Sequence, residues 1–215
     1  SCDMEEISFL SKMYGFRVIE DASHAFGASY KDNKVGSCRF SDVTIFSFHP
    51  VKIITTGEGG IATTLSSEIN KNLKKIRSHG IEKNQENLIN HSHGVWYYEQ
   101  QQLGFNYRMN DIEAALGNSQ ITKLGDFLKK RNKIADYYNE NLKNIPIKKP
   151  FVKKYNYSSF HLYIIKTMDE KDGLIRKNLF NFLRSRDILV NVHYIPIHLQ
   201  PFFGKFGFKK GDFPI

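Results

Sequence analysis

The sequence predicts an α/β fold followed by a small α+β domain. Helical and strand patterns alternate from the first residues onward, and one buried strand pattern ends on an acid, Asp21. Pro146 and Pro150 then interrupt the pattern, and a strand, a helix and a further strand follow them. Because prolines mark connections between regular elements, we predict one domain over residues 1–145 and a second over residues 146–215.

The elements of the first domain follow from the spacing of apolar residues. Continuous apolar runs are typical of buried strands, whereas apolar residues three and four positions apart indicate helices. On these grounds we predict a helix at Met4–Met13, a strand at Phe16–Asp21, a turn between two short strands at Lys31–Lys34, strands at Val43–Phe48 and Gly60–Leu65, and a helix from Ser66 or Ser67 to Ser78. A polar surface loop over 84–98 and a long helical pattern from Asn110 to Tyr138 complete the domain, with a break expected near Gly117 or Gly125.

The second domain is shorter and has fewer predicted elements. We predict a strand at His161–Thr167, a helix at Asp172–Arg186 and a strand at Ile188–Tyr194. Ser1 opens directly into a helical pattern, and residues 213–215 look like part of a loop. We therefore expect that the chain is truncated at both ends.

The composition is that of an ordinary soluble protein with a basic surface. Of the 215 residues, 40% are hydrophobic and 25% are charged, and the net charge is +9 at pH 7. Lys and Arg are interleaved with apolar or acidic residues, so we interpret them as solvated faces and expect no nucleic-acid partner. A basic surface also suits a small substrate that carries a diphosphate. No apolar run approaches the length of a membrane span, and Cys2 and Cys38 cannot form a disulfide framework, so we expect a cytoplasmic protein without membrane contact.

Two reactive side chains follow separate buried strands. Asp21 ends the first strand, and Lys52 comes shortly after the strand at Val43–Phe48. Each feature alone is weak, because an acid at a strand end is often a helix cap and a single lysine is often a surface charge. Together they match the needs of pyridoxal phosphate, which requires a carboxylate for its protonated ring nitrogen and a lysine for its aldehyde carbon.

The order and spacing of four motifs resemble one enzyme family. The motifs are Glu20–Gly27 (EDASHAFG), Ser47–Lys52 (SFHPVK), Thr55–Gly60 (TTGEGG) and Leu103–Ala115 (LGFNYRMNDIEAA). This set is similar to that of the nucleotide-sugar aminotransferases of the DegT/DnrJ/EryC1/StrS family, and the resemblance spans nearly the whole chain. It implies an aspartate-aminotransferase-like large domain, of the type named PLP fold type I, with a mostly parallel sheet wrapped by helices.

The resemblance also implies a role for individual residues. Asp21 would pair with the ring nitrogen of pyridoxal 5'-phosphate, His24 with its ring hydroxyl and Ser47 with its phosphate. Lys52 would be the Schiff-base lysine and the catalytic acid-base. Asn106 would reach the phosphate in the neighbouring subunit's site, which implies a homodimer with a shared active site. Relatives in which histidine replaces the lysine are dehydratases, so the presence of Lys52 favours amino transfer.

A finer resemblance concerns the substrate. Residues 94–99 and 192–203 are similar to those of a subgroup that makes an amino sugar for pseudaminic acid. This implies a UDP-linked 4-keto-6-deoxy-N-acetylhexosamine as the UDP-sugar substrate and glutamate as the amino donor. His193 and Tyr194 would then contact the sugar.

Several candidate residues also have ordinary structural interpretations. His49 either faces the substrate or packs under the cofactor loop. Arg108 either contacts a phosphate or the partner subunit, or forms a salt bridge with a nearby acid. The aromatic residues Trp96–Tyr98 either stack on a uracil ring or belong to an interface. His91 and His93 have no second pair of ligands at a suitable spacing, so we expect a surface loop and no metal site.

Two functions of different classes remain open for the polypeptide. The first is an aminotransferase, acting on this sugar or on the C3 or C4 position of another nucleotide sugar. The second is a shortened, non-catalytic relative that acts as a dimerising partner. The set Asp21, His24, Ser47 and Lys52 favours the enzyme, because a scaffold has no need of it.

Overall fold

A computed structural model of the chain describes residues 1–168 and 173–213. Its strands are β1 (Ile19–Asp21), β2 (Ser29–Tyr30), β3 (Asn33–Lys34), β4 (Val43–Ser47), β5 (Gly60–Thr63), β6 (Ile81–Glu82), β7 (Glu99–Gln100), β8 (Ile147–Lys148), β9 (Asn156–Tyr157) and β10 (Lys166–Thr167). Its α-helices are α1 (Met4–Tyr14), α2 (Ser67–Arg77), α3 (Asp111–Ile121), α4 (Leu124–Asn141), α5 (Leu174–Arg184) and α6 (Pro201–Gly204). Up to Arg77, the order of helices and strands is the predicted one.

The central sheet has the strand order β1-β4-β5. β1 and β4 are parallel, with Asp21 opposite Ile45, and β4 and β5 are antiparallel, with Ser47 opposite Gly60. The other described strand pairs belong to three smaller sheets and are antiparallel, so the mostly parallel sheet expected for the large domain is represented here by the β1–β4 pair. A parallel neighbour needs a crossover connection, whereas the chain after β4 turns back through a loop without a helix.

The two faces of the central sheet are covered unequally. Phe46 of β4 is 4% exposed and packs in a core cluster with Ala22 and Ile54. Side chains alternate between the faces of a sheet, so the neighbours of Phe46 along the strand point the other way. On that opposite face, Ile19 and Ile45 are 66% and 41% exposed. The central sheet is therefore packed on the face that carries Phe46, whereas the face that carries Ile19 and Ile45 is largely exposed.

Helices α3 and α4 are separated by a break that does not lie at a glycine. α3 is capped at Thr122 and α4 at Lys123, while Gly117 and Gly125 lie inside the two helices. The predicted break within the long helical pattern is therefore confirmed, and it lies between the two glycines, at Thr122 and Lys123. Gly117 has a packing role instead, because a Cβ atom there would lie 2.8 Å from the methyl carbon of Thr56.

The chain divides into two compact units. The first is Ser1–Lys143 together with Phe151–Tyr163, and the second is Asn144–Pro150 together with Ile164–Ile215. The division predicted at residues 145 and 146 differs from this one, because 151–163 belongs to the first unit. This segment contains β9, which pairs with β2 of the same unit.

The regular elements of the second unit are shorter than predicted. The predicted strand His161–Thr167 is reduced to β10, which pairs with β8. The predicted start of α5 at Asp172 lies outside the described residues. Residues Ile188–Tyr194 pair with no other strand in the described part of the chain, so the strand prediction there is wrong. Leu189 and Tyr194 are 86% and 67% exposed, and without a surface to cover them their apolar character does not favour a strand.

Two kinds of feature are absent from residues 1–168 and 173–213. None of the helices there combines the length and the apolar character that a lipid bilayer requires of a spanning segment. In the same ranges, no three His, Cys, Asp or Glu side chains are grouped so that they could hold a metal ion.

Candidate functional site

Asp21 and Ser47 lie at the carboxyl ends of two neighbouring parallel strands. Asp21 is opposite Ile45 in the register of β1 and β4, and Ser47 follows Ile45 by two residues. Residues that lie opposite each other share a face of the sheet, as do residues two apart on one strand. Asp21 and Ser47 therefore lie on the same face, at the edge where ligands bind in α/β sheets.

A tight turn fixes the carboxylate of Asp21. Its Oδ1 atom accepts hydrogen bonds from Ser23 Oγ at 2.6 Å and from the backbone N–H of Ser23 at 3.0 Å. The hydrogen bond from the Ser23 side chain is the main cause that lowers the pKa of Asp21 below its ordinary value of 3.8, and the charges of His24 and Lys52 act in the same direction. Asp21 is therefore an anion at neutral pH.

Lys52 lies in the loop that joins β4 and β5. The loop closes on itself, because the backbone N–H of Phe48 donates to the carbonyl of Gly59 at 2.9 Å and that of Thr56 donates to the carbonyl of Phe48 at 3.0 Å. Ile54, two residues after Lys52, is 1% exposed and anchors the loop in the core. Lys52 itself is partly exposed and near enough to Asp21 to interact with it electrostatically. The predicted lysine is therefore close enough to the predicted acid for its charge to lower the pKa of that acid.

Ser47 and His49 continue the same edge. The backbone N–H of His49 donates to Ser47 Oγ at 3.4 Å, so the hydroxyl of Ser47 acts as an acceptor there and its O–H can donate elsewhere. The ring of His49 contacts its own loop, since Nδ1 accepts from the backbone N–H of Val51 at 3.4 Å and Nε2 lies 4.0 Å from Glu58 Oε1. The side chain of His49 is nevertheless 49% exposed, so its contact with the substrate stays a prediction.

Two residues that the sequence analysis did not single out lie beside His24. The ring centroid of His161 lies 4.4 Å from that of His24, and Ser159 Oγ donates a hydrogen bond to the carbonyl oxygen of His24 at 3.1 Å. Ser159 is 2% exposed. Ser159 and His24 are 135 residues apart in the sequence, and a local motif carries no signal for a contact over that distance.

Asn106 and Arg108 lie on an ordered surface segment. Asn106 forms an isolated β-bridge with Ser78, and the backbone N–H of Tyr107 donates to the carbonyl of Arg77 at 2.9 Å. The side chains of Asn106 and Arg108 are exposed. Among the ion pairs of residues 1–168 and 173–213, none involves Arg108, so its alternative role in a salt bridge within the chain has no support there.

The two residues proposed to contact the sugar belong to the second unit. The ring centroids of His193 and Tyr194 are 6.1 Å apart, and Tyr194 is 67% exposed. Both follow the end of α5 in a segment without regular structure. Their contact with a sugar stays a prediction.

A buried carboxylate, that of Glu99, organises the surface loop over residues 89–98. Glu99 is 8% exposed and accepts hydrogen bonds from the backbone N–H groups of Ile89 and Asn90, each at 2.7 Å. It also accepts from Gln101 Nε2 at 3.0 Å and from the hydroxyl of Tyr97 at 3.2 Å. The hydrogen bond from Gln101, followed by that from Ile89, lowers the pKa of Glu99 from 4.5 to about 2. One charged group therefore holds both ends of the 89–98 loop.

Replacing Glu99 by glutamine is expected to loosen the 89–98 loop and leave the rest of the first unit folded. Glutamine keeps the size and one acceptor but loses the charge that strengthens the hydrogen bonds from the backbone. Trp96 lies in the loop and is 75% exposed, so we expect the fluorescence anisotropy of this tryptophan to fall in the variant at pH 7.

In the wild-type protein, the fluorescence anisotropy of Trp96 is expected to fall in the same way when the solution is acidified. Because the pKa of Glu99 falls from 4.5 to about 2 on folding, the charged form stabilises the loop above pH 4.5, and this contribution is lost as the pH falls toward 2. Glu58→Gln is the matched control, because the Glu58 side chain is 75% exposed and lies outside this loop. Equal anisotropy for Glu99→Gln and wild type at pH 7 would contradict the role of Glu99.

Comparison with known sequences identifies the family of this chain. The sequence profile of the DegT/DnrJ/EryC1/StrS aminotransferase family matches residues 1–215. A UDP-4-amino-4,6-dideoxy-N-acetyl-beta-L-altrosamine transaminase of Campylobacter jejuni is 41% identical over 206 residues, which are 95% of this chain and 52% of that protein. The chain spans about half the length of the curated relatives it matches.

Solved structures of aminotransferases have folds similar to that of this chain. PseC of Helicobacter pylori, described as an aminotransferase involved in the biosynthesis of pseudoaminic acid, is similar with a TM-score of 0.84 and 35% identity over 95% of this chain and 52% of that one. A Streptococcus pneumoniae protein described as a sugar aminotransferase, in its PLP form, is similar with a TM-score of 0.79 and 28% identity over 97% of this chain and 55% of that one.

Proposed function

The chain belongs to the DegT/DnrJ/EryC1/StrS aminotransferase family, and from this we propose that the complete protein is a pyridoxal-phosphate-dependent nucleotide-sugar aminotransferase. The observation that carries the proposal is the position of Asp21 and Lys52. An ionised Asp21 ends the parallel strand β1, and Lys52 lies within electrostatic reach of it on the loop after β4. A carboxylate and an amine are the two groups that this cofactor needs from its protein.

The residues at the sheet edge fit pyridoxal phosphate. The protonated ring nitrogen needs an anion, and the lowered pKa of Asp21 keeps that carboxyl ionised. The phosphate needs donors, and the O–H of Ser47 can supply one; the aldehyde needs an amine, which the partly exposed Lys52 can offer. We assign His24 to the ring hydroxyl. When bound, the cofactor supplies an electron sink for negative charge on the substrate carbon.

We propose that Lys52 anchors the cofactor covalently and carries protons. Its Nζ atom would hold the cofactor at the aldehyde carbon, with water as the leaving group, and as a free amine it would accept the proton that the substrate carbon loses and carry it to the site where it is added again. Ile54 fixes the backbone of this loop in the core, so only the side chain of Lys52 has to move. The two hydrogen bonds from Ser23 hold the carboxylate of Asp21 in one orientation. Its negative charge therefore keeps a fixed position for the ring nitrogen of the cofactor.

For the substrate we propose a UDP-linked 4-keto-6-deoxy-N-acetylhexosamine, aminated with glutamate as the donor on the way to pseudaminic acid. The similarity to the Campylobacter and Helicobacter proteins supports this choice. The net charge of +9 is also suited to a substrate that carries a diphosphate. His193 and Tyr194 are the proposed sugar contacts, and His49, whose side chain is 49% exposed, is a further candidate.

We further propose that a second copy of the chain completes the active site. Asn106 and Arg108 have exposed side chains, and backbone hydrogen bonds to Arg77 and Ser78 hold their segment in place. An ordered segment with exposed polar side chains can reach the phosphate of a cofactor held by a partner. The proposed assembly is therefore a homodimer with shared sites.

The test is a visible absorbance spectrum of the complete protein with pyridoxal phosphate, taken before and after glutamate and again after the UDP-linked 4-keto sugar. We expect glutamate to convert the bound cofactor to its pyridoxamine form with a stoichiometric release of 2-oxoglutarate, and the keto sugar to reverse the change. Absence of a protein-bound cofactor band would overturn the proposal and favour a non-catalytic dimerising relative. Reversal by a different nucleotide keto sugar only would favour an aminotransferase of other specificity.

A further inference from the structure

We propose that the 158–161 segment (Ser158–His161) sets the orientation of His24 toward the cofactor, with Ser159 and His161 as positioning residues. The inference rests on the proposed function, because the orientation of His24 matters only if its ring binds the cofactor. Neither residue was among the candidates from the sequence. Both belong to the same compact unit as His24.

The segment contacts His24 at its backbone and at its ring. Ser159, 2% exposed, donates from Oγ to the carbonyl oxygen of His24 at 3.1 Å. The rings of His161 and His24 lie with centroids 4.4 Å apart and planes tilted by 55°. The first contact holds the main chain of His24, and the second restricts the rotation of its side chain. Together the two contacts restrain both the backbone and the ring of His24.

Helix α4 holds the 158–161 segment in turn. Arg131 Nη1 donates to the carbonyl oxygens of Phe160 at 3.1 Å and of His161 at 3.3 Å. Asn132 Nδ2 donates to the carbonyl oxygen of Ser158 at 3.0 Å. Phe160 has a φ of 41°, in the left-handed region that non-glycine residues rarely adopt. A conformation of this kind persists where the surrounding hydrogen bonds determine it, as they do here.

The turn that carries His24 is fixed from the sheet as well. The backbone N–H of Ala22 donates to the carbonyl of Ile45 at 2.8 Å, and that of Ala25 donates to the carbonyl of Ala22 at 2.9 Å. Asp21, which we assign to the ring nitrogen of the cofactor, directly precedes this turn. His24 is thus joined to the central sheet on one side and, through the 158–161 segment, to α4 on the other.

A fixed imidazole is what recognition of a ring hydroxyl requires. A hydrogen bond weakens steeply as its angle departs from linearity, so a histidine that rotates freely binds the hydroxyl only part of the time. A supporting layer that locks the rotamer of a binding residue keeps the geometry productive. The contact with His161 provides this support for His24.

The test compares His161→Leu and His161→Phe in the complete protein. Leucine fills the space without a ring, and phenylalanine retains a ring that can pack on His24. In the cofactor-free protein we expect the imidazole NMR signals of His24 to shift and broaden in His161→Leu and to stay near wild type in His161→Phe. We expect the dissociation constant for pyridoxal phosphate to rise about tenfold in the leucine variant only, as follows from misplacing a positioned group.

Tyr163→Phe is the matched control, because Tyr163 follows the segment by two residues and donates to Asn139 of α4 at 2.7 Å without being part of the segment. It should leave the signals of His24 unchanged. Ser159→Ala is a second variant and should shift the backbone signals of His24. Unchanged His24 signals in His161→Leu, or equal changes in the leucine and phenylalanine variants, would overturn the proposal. The NMR measurement needs no cofactor, so it stands even if the protein fails to transfer an amino group.

Discussion

Replacing Lys52 by alanine in the complete protein is expected to lower the rate of amino transfer by about 10⁴-fold or more, because in the proposed function this one residue supplies both the nucleophile and the proton carrier. The fold should be retained, since Lys52 is partly exposed and the loop is anchored by the buried Ile54. The measurement is a single-turnover rate with glutamate, together with the absorbance of covalently bound cofactor, which the variant should lack. A thermal unfolding midpoint near that of wild type would exclude a folding defect.

A second replacement separates the effect of the positive charge of Lys52 from the effect of its nucleophilic amine. Lys52→Arg keeps a positive charge beside Asp21, but a guanidinium does not lose its proton and cannot act as a nucleophile. We therefore expect Lys52→Arg to be as inactive as Lys52→Ala. Lys34→Ala, an exposed lysine of β3 in the same unit, is the control and should transfer amino groups at the wild-type rate. Substantial activity in Lys52→Arg would contradict the assignment of Lys52.

The candidate site was predictable where it depends on short stretches of chain. Asp21 could be predicted because the stretch Phe16–Glu20, with Phe16, Val18 and Ile19, has the composition of a strand that ends on the acid, although β1 is more exposed than the expected buried strand. Lys52 could be predicted because it comes shortly after the strand at Val43–Phe48 and ends the SFHPVK motif. The register of β1 and β4 then brings the two strand ends together, as the interpretation required.

The features that were not predictable depend on contacts between distant segments. Ile188–Tyr194 has the composition of a strand, but no described strand lies beside it to accept its hydrogen bonds. The direction of β5 is set by the folding of the loop after β4, which apolar spacing does not reveal. Ser159 and His161 lie in a stretch predicted to begin a strand, and only the folded chain places them against His24. Sequence patterns indicate local features such as turns. Which strands pair with each other depends on contacts throughout the compact unit.

Replacing Asp21 by asparagine is expected to lower the rate of amino transfer by about 10²- to 10³-fold, which is the usual cost of removing one electrostatic partner of a reacting group. Asparagine can accept the same hydrogen bonds from Ser23 through its Oδ1 atom, so the turn should persist while the charge is lost. Without an anion beside it, the ring nitrogen of the cofactor would lose its proton more readily. The measurement is the single-turnover rate with glutamate, and Asp21→Glu, which keeps the charge, should recover part of it.

The pH dependence of stability gives an independent check on Asp21. Because its pKa in the folded protein is lowered from 3.8, the ionised form stabilises the turn above that pH, and this contribution is lost as the pH falls below it. Asp21→Asn should therefore lose less stability than wild type between neutral and acidic pH.

Asp42→Asn is the matched control. Asp42 precedes β4 at the opposite end of the strand, and it accepts hydrogen bonds from Arg17 at 2.7 Å and from the backbone N–H of Val18 at 2.8 Å. The pKa of Asp42 is also lowered, first by the bond from Val18, so this control should lose acid sensitivity in the same way and keep its amino transfer. A transfer rate reduced equally in both variants would show that Asp21 acts through the fold and not through the cofactor.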